Sequence, residues 1–176
     1  MSKLNMKKIL IAGLQKSGKT SIILSLEGKH NLMSYFSLAP TPGLQIKELE
    51  SQTHHYILWE MGGQEFYREK YFANFAKYTE DTQKMIYVID IQSQDDYKES
   101  LEYLRRIIQG FKKLGHYPEI SVFLHKFDPE IRSLQAYSED TIQKKLIDKI
   151  SEIITPEFDH DVFKTTIFTV FRKEAF

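Results

Sequence analysis

Gly13-Leu14-Gln15-Lys16-Ser17-Gly18-Lys19-Thr20 follows the spacing G-x-x-x-x-G-K-[ST]. Glycines at the two fixed positions let successive backbone N–H groups turn toward one point, which makes a cradle for an anion such as a polyphosphate. A helix that starts at the end of this loop adds the partial positive charge of its N-terminus. In that arrangement Lys19 reaches the β- and γ-phosphates, and the Thr20 hydroxyl ligates Mg²⁺. Gln15, Lys16, Ser17, Gly18 and Ser21 complete the expected phosphate contacts.

A second group stands far along the chain. His125-Lys126-Phe127-Asp128 follows the apolar run Ile120–Leu124 directly, so it belongs at that strand's C-terminal end, the edge where open α/β sheets bind ligands. A carboxylate only accepts hydrogen bonds. Guanine offers two adjacent donors, its ring N–H and its amine, and adenine offers no such pair. Asp128 therefore favours guanine, and the Lys126 stem can lie along the base plane.

The elements that must carry these loops alternate. Lys8–Ala12 reads as a buried strand and Thr20 to Leu26 as a helix ended by Gly28. Pro40 and Pro42 punctuate a loop over Ser34–Gly43. Strands are expected at Leu44–Glu50 and His54–Glu60, turning near Ser51-Gln52, then a helix over Glu65–Lys77. Lys84–Ile91 is the sharpest strand. Tyr97, Leu101, Leu104, Ile108 and Phe111 form one apolar helical stripe. Strand Ile120–Leu124, a helix carrying Ile142, Leu146, Ile150 and Ile153, and strand Val162–Phe168 follow. The alternation implies an α/β fold, a mainly parallel sheet with helices on both faces.

Composition narrows the class. The 176 residues suit a single domain spanning the chain. Lys plus Arg is 24 and Asp plus Glu is 24, so general affinity for nucleic acid or anionic lipid is not expected. With no cysteine, disulfides, thiolate metal sites and Cys nucleophiles are excluded. Apolar runs are strand-sized, against the roughly 20 residues of a membrane span. No signal peptide or lipidation motif is visible. The expected location is cytoplasmic, with membrane contact only through a partner.

The ordered set of Gly13–Thr20, Pro40-Thr41-Pro42-Gly43, Trp59-Glu60-Met61-Gly62-Gly63-Gln64 and His125–Asp128 resembles the Ras-like small GTPases. Within them, Trp-x-x-Gly-Gly-Gln is similar to the ADP-ribosylation-factor form. His-Lys-x-Asp, together with Ile86-Tyr87-Val88-Ile89-Asp90 and Asp95-Asp96-Tyr97, is similar to the Rag form. The resemblance implies a P-loop NTPase G domain with a mostly parallel six-stranded sheet and one antiparallel edge strand. It implies binding of GTP and GDP with Mg²⁺, hydrolysis of GTP, and protein partners of three kinds: an exchange factor, a GTPase-activating protein and effectors.

By position, Thr41 is the first-switch threonine and would bind Mg²⁺ and the γ-phosphate in the GTP state. Gly63 would donate its N–H to the γ-phosphate. Gln64 would orient the attacking water, with Lys19 and Gly63 beside it in the catalytic set. Thr166, in Thr165-Thr166-Ile167, matches the last base-contacting loop, without that loop's usual Lys. Three departures stand out. Glu60 replaces the Asp that holds a Mg²⁺-bound water, so it is expected to act through that water, to crowd it or to replace it. His125 replaces the common Asn. No Arg lies between Gly28 and Thr41, so intrinsic hydrolysis is expected to be slow, with an activating protein inserting the Arg. Arg68 reads as a solvated helix residue. After the last strand only Thr169–Phe176 remains, about two helical turns, so the final helix is expected to be short or truncated.

Other features read as structural or as contact surface. His54-His55 on one strand point to opposite faces, which does not suit a metal. Trp59 is expected to pack in the sheet. Tyr35, Phe36, Phe66, Tyr67, Tyr71 and Phe72 are either core or a partner-binding patch. A scaffold that holds one nucleotide without cycling is the rival reading, and the few Arg residues in the loops disfavour a small-metabolite kinase.

Overall fold

A computed structural model describes residues 5–28, 34–35, 38–50 and 54–167. Phe36, the Ser51-Gln52 turn and the tail Thr169–Phe176 lie outside the described residues. Six strands are found among them: β1 (Asn5–Ala12), β2 (Leu44–Glu50), β3 (His54–Met61), β4 (Thr82–Asp90), β5 (Glu119–His125) and β6 (His160–Lys164). They form one sheet in the order β2-β3-β1-β4-β5-β6. β2 runs antiparallel to β3 at one edge, and the other pairings are parallel. The expected sheet is thus found.

Helices α1 (Lys19–Glu27), α2 (Glu65–Ala73), α3 (Phe75–Thr79) and α4 (Tyr97–Leu114) follow the strands. The last helical stretch is α5 (Glu139–Ile142), a π-helical turn over Gln143–Ile147, and α6 (Asp148–Ile153). Both faces of the sheet are covered. Leu10 and Ala12 of β1 join Met85, Tyr87 and Ile89 of β4 in the core under α4 and α6. Ile11, Ile86 and Val88 face the other way, onto Ile22 and Ile23 of α1. This period-two division is what a strand buried on both sides requires.

The stripe read on α4 is buried along its length, with Leu104 and Phe111 fully buried. Each such side chain is worth about 1.5–3 kcal/mol when removed from water. Gly28 does end α1, its N–H returning to the Leu24 carbonyl at 3.3 Å. Among the described residues no helix is long and apolar enough to cross a membrane.

Two elements depart from expectation for tertiary reasons. The helix expected over Glu65–Lys77 breaks at Asn74, whose φ of −136° is not helical. The break sets Phe75 against Phe111, ring centroids 5.3 Å apart, and against Gly110, where an added Cβ would lie 2.5 Å from the ring. The last strand ends at Lys164 rather than Phe168. Thr165 and Thr166 leave the sheet to reach the β5 turn instead.

Candidate nucleotide site

The loop between β1 and α1 turns at Gly18, with φ of 99°, a conformation costly for any residue with a Cβ. Space enforces the same choice, since a Cβ there would stand 2.4 Å from His125 Cδ2. His125 thus packs its ring edge on the loop, while its Nδ1 lies 2.9 Å from the Thr165 hydroxyl. Burial and the neighbouring Lys126 hold its pKa below the usual imidazole value, so the ring is neutral at physiological pH.

Lys19 is buried in the loop's centre and donates to the carbonyls of Gly13 at 3.0 Å and Leu14 at 2.7 Å. Burial lowers its pKa to about 8. The negative charge of Glu60 works against that shift and Arg68 adds to it.

The two segments expected to be switches close on this loop. Thr41 Oγ1 lies 3.1 Å from Thr20 Oγ1. Both hydroxyls donate to Glu60 Oε1, from Thr20 at 2.5 Å and from Thr41 at 2.9 Å. Glu60 is almost wholly buried, and its Oε2 has no hydrogen-bond partner among the described residues. Two hydroxyls and a carboxylate are hard oxygen donors, and with a buried carboxylate oxygen left over the set fits Mg²⁺. Gly62 donates to the Gly43 carbonyl at 2.8 Å and to the Tyr71 hydroxyl at 2.9 Å. Gly63 lies so close to the loop that a Cβ would fall 2.3 Å from the Gln15 nitrogen.

A cleft of about 310 Å³ runs through this region. Gln15, Lys16, Gly18, Lys19, Thr20 and Ser21 line it from one side; Thr41, Glu60, Gly63 and Gln64 line it from the other, with Lys126 at one end. Ser17 is buried and lines an adjacent cleft instead. His125, Asp128 and Thr166 lie outside the cleft, in a cluster around Lys126.

In that cluster Lys126 adopts φ of 63°. Its Nζ donates to the Lys16 carbonyl at 2.8 Å and to Asp90 Oδ2 at 2.5 Å. Asp128 accepts from the Thr166 hydroxyl on one oxygen and from Gln92 Nε2, at 2.8 Å, on the other. The Gln92 amide therefore offers Asp128 the N–H chemistry that a guanine edge offers.

Asp90, Gln92 and Tyr71 belong to this architecture. From the sequence, Asp90 is read only within the Rag-like stretch and Tyr71 only as core or contact patch, and nothing local marks Gln92. Arg68 corrects an expectation. It is buried rather than solvated, ion-paired with Glu99 of α4 and placed 5.1 Å from the Tyr103 ring centre. An Arg lodged against a carboxylate and an aromatic face is held by both charge and packing.

The residues read as structural or as contact surface also have definite places. His54 stacks on Tyr56, and His55 lies 3.2 Å from Glu48. Trp59 is half-buried on β3 with the Lys8 ammonium 3.7 Å from its ring centre. Tyr71 is core, Tyr35 and Phe72 are half-buried, and Phe66 is mostly exposed.

Comparison with known proteins agrees with this geometry. The Gtr1/RagA G protein conserved region matches residues 8–175. The chain is 34% identical over 100 residues to ADP-ribosylation factor-like protein 2 of Arabidopsis thaliana, covering 55% of this chain and 50% of that protein. It is 32% identical over 121 residues to ADP-ribosylation factor-like protein 3 of Chlamydomonas reinhardtii, covering 69% and 63%. The matches thus span about half to under two thirds of these curated relatives.

The fold is similar to the Arl6 BBS3 small GTPase of Trypanosoma brucei, solved with the nucleotide analogue GppNp. That likeness has a TM-score of 0.70 and 15% identity over 92% of this chain and 87% of the other. The mammalian SRP receptor structure gives the same score and identity over 91% of each chain. The chain belongs to the Gtr1/RagA G-protein family, as a divergent small GTPase of the Arf and Rag type.

Proposed function

We propose that this protein is a nucleotide switch that binds GTP and GDP, hydrolyses GTP slowly, and presents protein partners with a different surface in each state. The observation that carries the reading is the closure of two separate segments on one loop. Thr41 meets Thr20, and Gly63 meets Gln15, at contact distance.

The roles follow from position. Amides of Gln15 to Ser21 cradle the phosphates, and Lys19 neutralises the β- and γ-oxygens. Gly63 donates its N–H to the γ-phosphate, and Gln64 orients the attacking water. Thr20, Thr41 and Glu60 would hold Mg²⁺, which would supply positive charge against the phosphate oxygens. Asp128 accepts the guanine donors once Gln92 gives up its bond, with Lys126 along the base and His125 and Thr166 fixing the pocket.

Loss of the γ-phosphate removes what holds Thr41 and Gly63, and the segments relax. Arg68 is committed to Glu99, so it is not free to act at the phosphate. An activating protein supplies that Arg, an exchange factor renews the nucleotide, and effectors read the closed state. The protein works in the cytoplasm and reaches membranes only through a partner.

A second reading, a guanine-nucleotide scaffold that does not cycle, draws support from Glu60, which already ties Thr20 and Thr41 together. Calorimetry with GDP and ADP tests the binding. GDP alone should bind, and Lys19→Ala should abolish it; failure of GDP to bind overturns both readings. Single-turnover GTP hydrolysis with and without cell extract separates them. A switch is accelerated by extract, and Gln64→Leu stops its turnover with binding kept. A scaffold shows no turnover in either case.

A further inference from the structure

We infer that Tyr71 is a positioning residue for the γ-phosphate site: its hydroxyl fixes the peptide of Gly62 and thereby aims the Gly63 N–H. The inference deepens the switch reading above and rests on it. Gly62 and Gly63 follow β3 directly, and neither has room for a side chain. A Cβ on Gly62 would lie 2.6 Å from the Thr41 carbonyl oxygen, and one on Gly63 would lie 2.3 Å from the Gln15 nitrogen. Two glycines in succession also have the widest choice of backbone conformation. Close packing thus demands the residue type that least defines where the next N–H points, and neighbouring groups must define it.

They do so at the Gly62 N–H. It is shared between two acceptors, the Gly43 carbonyl at 2.8 Å and the Tyr71 hydroxyl at 2.9 Å. The Gly43 carbonyl alone would satisfy this donor, so the hydroxyl does more than pair an orphan. A second acceptor narrows the orientation of the peptide, because the N–H must point between the two. Gly63 comes next and lines the cleft, and its own N–H makes no hydrogen bond among the described residues.

Packing alone does not call for a hydroxyl at this place. Tyr71 is 3% exposed in the main core, with its ring edge-on to Tyr78 at 5.0 Å. A phenylalanine would make the same ring contacts without the cost of burying a polar group. Tyr67 stands one turn earlier on the same face of α2. Its ring lies against Gly43, where a Cβ would be 3.6 Å from Cε1. Two tyrosines four residues apart therefore hold both segments, one by ring contact and one by its hydroxyl.

Tyr71→Phe tests the role, since it removes the hydroxyl and keeps the ring. Calorimetry measures binding of GDP and of a non-hydrolysable GTP analogue to wild type and variant, with folding checked by circular dichroism. Only the analogue carries the γ-phosphate that Gly63 would meet. Its affinity should fall by about three- to tenfold, the worth of one neutral hydrogen bond, while GDP affinity changes by less than about twofold.

A loss shared equally by both nucleotides, a larger loss for GDP, or no loss overturns the positioning role and leaves the nucleotide reading intact. Failure of Tyr71→Phe to fold assigns the hydroxyl to the fold rather than the site, and overturns the role as well. Failure of folded wild type to bind either nucleotide overturns the nucleotide reading and the role with it.

Discussion

The Lys126 ammonium donates to the backbone carbonyl of Lys16 at 2.8 Å, across 110 residues of sequence. The same Nζ is paired with Asp90, so one side chain ties the ends of β4 and β5 to the phosphate loop. A charged hydrogen bond is worth about 1.5–3 kcal/mol. Lys126→Met should therefore weaken GDP binding by about tenfold or more. Stopped-flow release of a fluorescent GDP should show the loss mainly as a faster off-rate.

Much of this arrangement is legible in the residues, and the limit is physical. The Gly13–Thr20 loop, the α4 stripe and the Gly28 stop are local patterns with periods of a few residues, so each declares itself. Glu60 announced a departure by its type, although only the strand geometry shows how far its carboxylate reaches. The Asn74 break depends on Phe75 meeting Phe111, and the burial of Arg68 depends on Glu99, 31 residues away. Such partners are set by helix packing and leave no trace in a local window. The hold of Gln92 on Asp128 is of the same kind.

The close approach of the Gly62–Gln64 segment to the phosphate loop requires a residue without a Cβ at position 63. In Gly63→Ala the new methyl would lie 2.3 Å from the Gln15 nitrogen, well inside van der Waals contact. The segment must then stand off the loop. Affinity for a non-hydrolysable GTP analogue should fall by about tenfold or more while GDP affinity changes by less than about threefold. Competition binding of the two nucleotides measures that ratio.

Lys19 gives nucleotide binding a dependence on alkaline pH. Its pKa in the free protein is about 8, lowered chiefly by burial. A bound polyphosphate favours the charged form and raises that value. Binding therefore takes up a proton above about pH 8 and almost none well below it. Affinity for GDP should be full below about pH 8 and fall above it, by up to about tenfold per pH unit for one linked proton. Calorimetry near pH 9 in two buffers of different ionisation heat should report uptake approaching one proton.

Arg68 should behave as a structural residue. Its pair with Glu99 is partly screened, since the Glu99 side chain is 55% exposed. Arg68→Ala removes that pair and the cover over Tyr103, at a cost of about 1–2 kcal/mol. For a chain of this size, that lowers Tm by about 2–8 °C. Intrinsic GTP turnover should stay far from the roughly 10³-fold loss that removing a phosphate-contacting Arg produces. Differential scanning calorimetry and single-turnover assays on the same preparation check both statements.

The parallel strands all direct their carboxyl ends to the candidate nucleotide site, which leaves the corner between α4 and β5 at the opposite rim. Leu114, the last residue of α4, is 47% exposed there. Because the chain contains no native thiol, Leu114→Cys creates a unique handle for a dye, a spin label or a surface tether. A reporter fixed at that rim can follow tumbling and complex formation in real time, with the chemistry at the far end of the sheet left unobstructed.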